Sequence, residues 1–185
     1  KVLNGILEQA GITEKGDKEK AIITIDKLDK IGKEGVSKEL QERGFSKKQV
    51  DNIFTLVKEN ISLAELKKKL TNAEGMQGIK ELEELFSYLQ AMDVSCAVFD
   101  VSSARGLAYY TGTVFEARLQ NGPITSSVAG GGRWDNMIGS FMGGGREIPA
   151  VGVAFGLEPI MDTLRLEKKI KSASVAQVYV IPINT

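Results

Sequence analysis

The chain has 185 residues, 42% apolar and 26% charged, which suits one ordinary soluble domain or one and a fraction. Its 24 basic and 24 acidic side chains cancel, so no global basic field announces a nucleic-acid partner; an RNA would bind through a local patch or through residues outside this chain. Cys96 is the one cysteine and there is no histidine, which excludes a disulfide within the chain, a histidine-based triad and most zinc sites, and makes a reducing cytoplasm the natural compartment. No apolar run approaches the roughly 20 residues a membrane helix needs. The start, Lys1-Val-Leu-Asn-Gly5, is neither a signal peptide nor an initiator, so the chain is expected to be an internal piece of a longer protein.

The first ninety or so residues read as helical. The pattern predicts a helix over residues 21–31. Val50, Ile53, Phe54 and Val57 then fall at i, i+3, i+4 and i+7, with Ser46 as N-cap after a break at Gly44. Ser62-Leu-Ala-Glu65 is a capping box, with Leu63, Leu66 and Leu70 as the stripe behind it. Ile79, Leu82, Phe86, Leu89 and Met92 predict a further helix of about four turns. The Lys- and Glu-rich faces read first as solvated, with Lys47, Lys48, Lys67, Lys68 and Lys69 as candidates for an RNA backbone.

From about Ser95 the texture changes. Residues 97–101 are short, apolar and β-branched, as in a buried strand. Residues 113–119 alternate, with Val114, Glu116 and Arg118 on one face and Thr113, Phe115, Ala117 and Leu119 on the other, a strand with one buried side. Asn121-Gly122-Pro123 is a turn, and residues 124–129 suit the return strand of a hairpin. Two glycine clusters follow, Gly130-Gly131-Gly132 before Arg133-Trp134-Asp135, and Gly143-Gly144-Gly145 in a flexible loop. A third strand is predicted over 150–155, a helix over 156–168, a linker over 168–174 and a new strand over 176–183. Strands joined by short turns favour an antiparallel sheet, hence α+β.

One block carries chemistry. Between residues 99 and 116 the sequence places Arg105, Tyr109 and Tyr110 in a turn between strands, with Gly106 and Gly112 permitting close backbone approach. An arginine beside tyrosine hydroxyls suits a polar, anionic ligand. On spacing alone, a plain surface hairpin with an ordinary salt bridge fits as well.

Ala104-Arg-Gly-Leu-Ala-Tyr-Tyr-Thr-Gly112 resembles the histidine-specific signature of histidyl-tRNA synthetases, usually Arg-Gly-Leu-Asp-Tyr-Tyr. Gly130-Gly-Gly-Arg-Trp-Asp135 resembles the family's second signature, commonly Gly-Gly-Arg-Tyr-Asp. Val151-Gly-Val-Ala-Phe-Gly-Leu-Glu158 is similar to motif 3 of class II synthetases, and Asp26-Lys-Leu-Asp-Lys30 to a phrase in the family's helical insertion. The resemblance implies a class II synthetase-like antiparallel sheet with helices, preceded by a helical insertion. Residues 1–92 would be the insertion and its connecting helix, 93–170 part of the catalytic core, and 171–185 a linker and the first strand of the anticodon-binding domain.

The resemblance also implies an activity: ATP-dependent conversion of histidine to histidyl-adenylate and transfer to tRNA(His) by a cytoplasmic homodimer, with Mg2+ accompanying ATP, no dedicated protein metal site and no membrane. Arg105 would be the catalytic arginine, touching the histidine carboxylate and the α-phosphate where other class II enzymes use a metal. Tyr109 and Tyr110 would line the histidine pocket, and Gly130, Gly131 and Gly132 would form its wall. Three departures stand out. Ala108 replaces the usual Asp, Trp134 replaces a Tyr and reads as a packing residue, and Pro159 stands where motif 3 has a phosphate-binding arginine that Arg146 or Arg165 would have to replace. Motifs 1 and 2 are expected before Lys1. The alternative is a non-catalytic paralogue that binds histidine or uncharged tRNA.

Overall fold

The computed structural model describes residues 1–58, 60–104, 109–170 and 178. Six helices come first: α1 (Val2–Gln9), α2 (Lys15–Ile25), α3 (Leu28–Glu42), α4 (Lys47–Leu56), α5 (Leu63–Lys69) and α6 (Ala73–Ala91). Then follow β1 (Val114–Ala117), β2 (Ala129–Arg133), α7 (Met137–Phe141), β3 (Val151–Phe155) and α8 (Leu157–Leu166).

The helices close because their caps and stripes agree. Ser46 accepts from the backbone of Gln49 while the Gln49 side chain accepts from Ser46 N–H, and Ser62 and Glu65 do the same for α5. Asn72 caps α6 by accepting from Gly75 N–H at 2.8 Å, and its amide donates to Gly5 O at 2.6 Å. That second bond ties α6 to α1, whose axes approach so closely that a Cβ on Gly5 would collide with the Gly75 backbone. Ile6, Leu7, Ile25, Val36, Leu40, Val50, Ile53, Leu66 and Ile79 are sealed from solvent in one cluster. Each such side chain contributes on the order of 1.5–3 kcal/mol.

The predicted helix over 21–31 is two helices meeting at a bend. α2 ends with Asp26 (φ −56°, ψ −17°), and Lys27 (φ −89°, ψ 1°) precedes α3. Both residues are near-helical, so the apolar spacing survives while the axis turns. α3 itself is interrupted at Gly32 (φ 66°, ψ 176°), a left-handed conformation that glycine tolerates. The helix expected from Ile79 to Met92 is longer than its stripe, starting at Ala73.

Three strands form a sheet in the order β1-β2-β3. Val128 N–H bonds Ala117 O and Arg133 N–H bonds Thr113 O, so residue numbers rise along one strand as they fall along the other. Trp134 N–H to Ala150 O and Gly156 N–H to Val128 O repeat this on the other side, and the sheet is antiparallel. The fold is α+β. The chain divides into two compact units, Lys1–Phe115 with Gly131–Val153, and Glu116–Gly130 with Ala154–Thr185.

Two strand expectations change. Residues 97–100 adopt no regular structure and Val101 enters a turn, with no ladder among the described residues; Val98 is 85% exposed, and of residues 97–101 Phe99 and Val101 reach the helical core. The return strand is Ala129–Arg133 rather than 124–129, because glycine backbone, poor in β-propensity, is held by ladder bonds and by the aromatic rings laid on it. In β1 the expected alternation is present, and the more covered side is that of Val114 and Glu116, which are half-buried, while Phe115 is 39% exposed. Phe115 lies over Gly131, which has no side chain to cover it. β3 and α8 follow the prediction, with Gly156 as N-cap. The predicted linker beyond Ile170 and the strand over 176–183 lie outside the described residues, apart from Val178.

Candidate active site

Arg105, Gly106 and Ala108 lie outside the described residues. The rest of the two signature segments is described, and the fold sets them side by side. Thr111 N–H donates to Arg133 O at 2.9 Å, and Arg133 N–H donates to Thr113 O at 2.9 Å. Tyr109 and Tyr110 sit at the start of this pairing with ring centroids 4.6 Å apart, inclined at 46°. Tyr110 is half-buried and Tyr109 is 39% exposed, which leaves the pair one open face.

Gly130, Gly131 and Gly132 are consecutive residues of β2 and all are buried. The three glycines thus lie in a strand, and packing explains them. A Cβ on Gly132 would lie 2.9 Å from the Tyr110 ring and 2.7 Å from Thr113 O. One on Gly131 would collide with Gly152 O and lie 2.8 Å from the Phe115 ring. The strand thus presents bare backbone beneath two aromatic rings. Trp134 packs on Gly152, where a Cβ would meet the indole at 2.8 Å, in keeping with its reading as a packing residue.

Asp135 joins several parts of the site. Its carboxylate accepts from Arg133 Nε at 2.9 and 2.8 Å and from Ala150 N–H at 3.3 Å. Its own N–H donates to Thr111 Oγ1 at 3.0 Å. Burial opposes its charge, but the hydrogen bond from Arg133, then that from Ala150 and the Arg133 charge, outweigh it and hold the carboxyl below the ordinary aspartate range. Neither Thr111 nor Asp135 stood out in the sequence as a site residue. The signal available was their position inside the two signatures, each polar and each next to an aromatic residue.

Pro159 occupies the first turn of α8, where its missing N–H is harmless. Its ring lies 3.2 Å from where a Gly156 Cβ would be, and its carbonyl accepts from Thr163. Of the arginines considered in its place, Arg165 pairs with Asp162 on α8 at 3.1 Å, and Arg146 lies in the exposed loop after Gly143, Gly144 and Gly145. Among the described residues no group of three or more acidic, cysteine or histidine side chains is placed to hold a metal ion, and no helix is long and apolar enough to cross a membrane.

The geometry accords with comparison to known proteins. The family profile for histidyl-tRNA synthetase matches residues 1–160. The chain is 40% identical over 188 aligned positions to histidine–tRNA ligase 1 of Bacillus cereus (strain ATCC 10987 / NRS 248), covering all of this chain and 42% of that protein. It is 36% identical to histidine–tRNA ligase of Clostridium tetani, covering all of this chain and 43% of that one. The crystal structure of histidyl-tRNA synthetase from Nostoc sp. PCC 7120 superposes with a TM-score of 0.77 at 29% identity, over 92% of this chain and 41% of that one. The chain belongs to the histidyl-tRNA synthetase family. It spans less than half the length of these relatives.

Proposed function

We propose that this chain is part of a histidine–tRNA ligase that activates histidine with ATP and transfers it to tRNA(His). The observation that carries the reading is the packing of Tyr110, from the first signature, on Gly132, from the second. Two sequence blocks of the family thereby build one aromatic-lined surface on bare strand backbone. Tyrosine hydroxyls recognise the imidazole nitrogens there, and a site built to hydrogen-bond its substrate rejects lookalikes strongly. Gly130, Gly131 and Gly132 form the wall.

In the reaction the histidine carboxylate attacks the α-phosphorus of ATP and pyrophosphate leaves. Arg105 contacts both the carboxylate and the α-phosphate and stabilises the charge that grows on the phosphate oxygens. Magnesium enters with ATP as part of that substrate. Residues 1–92 act as the helical insertion over the tRNA acceptor arm, 93–170 as part of the catalytic core, and 171–185 as the approach to an anticodon-binding domain. The longer protein works as a cytoplasmic homodimer.

The test is histidine-dependent ATP–pyrophosphate exchange by the full-length protein that carries this chain. Exchange that requires histidine and is abolished in Arg105→Ala, with the fold retained, supports the ligase. A second reading, a paralogue that senses histidine or uncharged tRNA, draws on Pro159 at the motif 3 position and Ala108 in the first signature. Histidine binding without exchange would decide for it.

A further inference from the structure

Tyr110, Thr111 and Gly112 are consecutive, and each meets a different part of the segment from Gly132 to Asp135. The Tyr110 ring lies on Gly132. Thr111 bonds three times, donating its N–H to Arg133 O at 2.9 Å and its hydroxyl to the same oxygen at 3.5 Å, and accepting Asp135 N–H on that hydroxyl at 3.0 Å. Gly112 lies under the aliphatic stem of Arg133, whose Cδ would be 3.0 Å from a Cβ there. The Asp135 carboxylate then grips that same arginine through Nε and fastens Ala150 N–H, just before β3.

Strand pairing alone does not need this clasp. The bonds from Thr111 N–H to Arg133 O and from Arg133 N–H to Thr113 O already align the two segments. The side-chain bonds add a fixed position for the residue that immediately follows Tyr110. Arg133 is held from two sides, by its carboxylate partner and by the surface of Gly112. Its stem rests on Gly112, two residues after Tyr110.

We propose that Thr111 and Asp135 are positioning residues for the histidine pocket, a role that rests on the ligase reading above. Asp135 fixes Arg133, Arg133 and Thr111 fix the segment from Tyr110 to Gly112, and that segment sets the two tyrosine rings over Gly132. Neither residue needs to touch substrate. The clasp acts on histidine affinity and leaves ATP affinity alone.

Thr111→Val keeps the shape and removes the hydroxyl that accepts from Asp135 N–H and donates to Arg133 O, whereas Thr111→Ser keeps it. In the full-length protein, Thr111→Val should raise the histidine KM roughly ten-fold, the range of one net hydrogen bond, with the ATP KM within about two-fold. Thr111→Ser should restore it, and Asp135→Asn should move the histidine KM in the same direction as Thr111→Val. A readout independent of activity is hydrogen exchange of the peptide 109–117, which should quicken in Thr111→Val and Asp135→Asn and stay slow in Thr111→Ser. An unmodified protein with no histidine-dependent exchange would sink the ligase reading, while quickened hydrogen exchange confined to 109–117 would still support the clasp itself. An active protein whose histidine KM ignores Thr111→Val would overturn the proposal. So would histidine and ATP KM values rising together with quickened hydrogen exchange along the whole chain, which is loss of fold rather than of position.

Discussion

The helices from α1 to α6 and the segment from β1 to α8 are built on opposite principles. The helical region buries its own stripes: Ile6, Leu7, Leu40, Ile53, Leu66 and Ile79 are fully enclosed by neighbouring helices. In the strand region, Phe141, Val151, Phe155 and Leu157 are all more than 70% exposed, and the buried positions of β2 are glycines. The first region derives its stability from side-chain burial. The second is organised by backbone bonds, ring-on-glycine packing and the Asp135 cluster, which also set the surface proposed as the histidine pocket.

The comparison makes graded predictions. Leu40→Ala or Ile53→Ala should destabilise the chain by about 2–5 kcal/mol in urea unfolding, whereas Phe155→Ala should stay within about 0.5 kcal/mol. Equal losses at Leu40 and Phe155 would erase the distinction. Next in size comes Gly131→Ala, where the new methyl meets Gly152 O; about 1–3 kcal/mol or more is expected, measured the same way. A tolerated alanine would mean that β2 and β3 are not so closely set.

The helix caps should matter less. Ser46→Ala and Ser62→Ala each remove one half of a capping box and should cost about 1 kcal/mol. The smallest effect is on pH. Because the Asp135 carboxyl is held below its ordinary range, its stabilising contribution is present above that range and fades as pH falls through the lower folded value. The stability difference between wild type and Asp135→Asn should therefore be flat near neutrality and shrink below about pH 4.

These effects also mark what was legible in the sequence. Ser46, Ser62 and the stripe from Val50 to Val57 were readable because caps and helical periodicity are local signals. The bend at Asp26 and Lys27 was hidden, since near-helical turns keep helical spacing. Residues 97–101 looked like a strand from composition, but a strand is defined by its partner, which composition does not name. That the glycines at 130, 131 and 132 form a strand was hidden because the rings that pack on them, Tyr110 and Phe115, lie fifteen or more positions away in sequence. The signatures pointed to Tyr109, Tyr110 and the glycines as site residues. They did not show that Thr111 and Asp135 lock one signature to the other, which is a fact of three-dimensional approach.

Tyr110→Phe in the full-length protein probes most directly the proposal that the Tyr110 surface is a histidine pocket. Loss of a paired hydroxyl should weaken histidine binding by about 1–3 kcal/mol, roughly a 5- to 150-fold rise in the histidine KM, with the ATP KM little changed. A histidine KM that does not move, in a protein that still carries out histidine-dependent exchange, would contradict it.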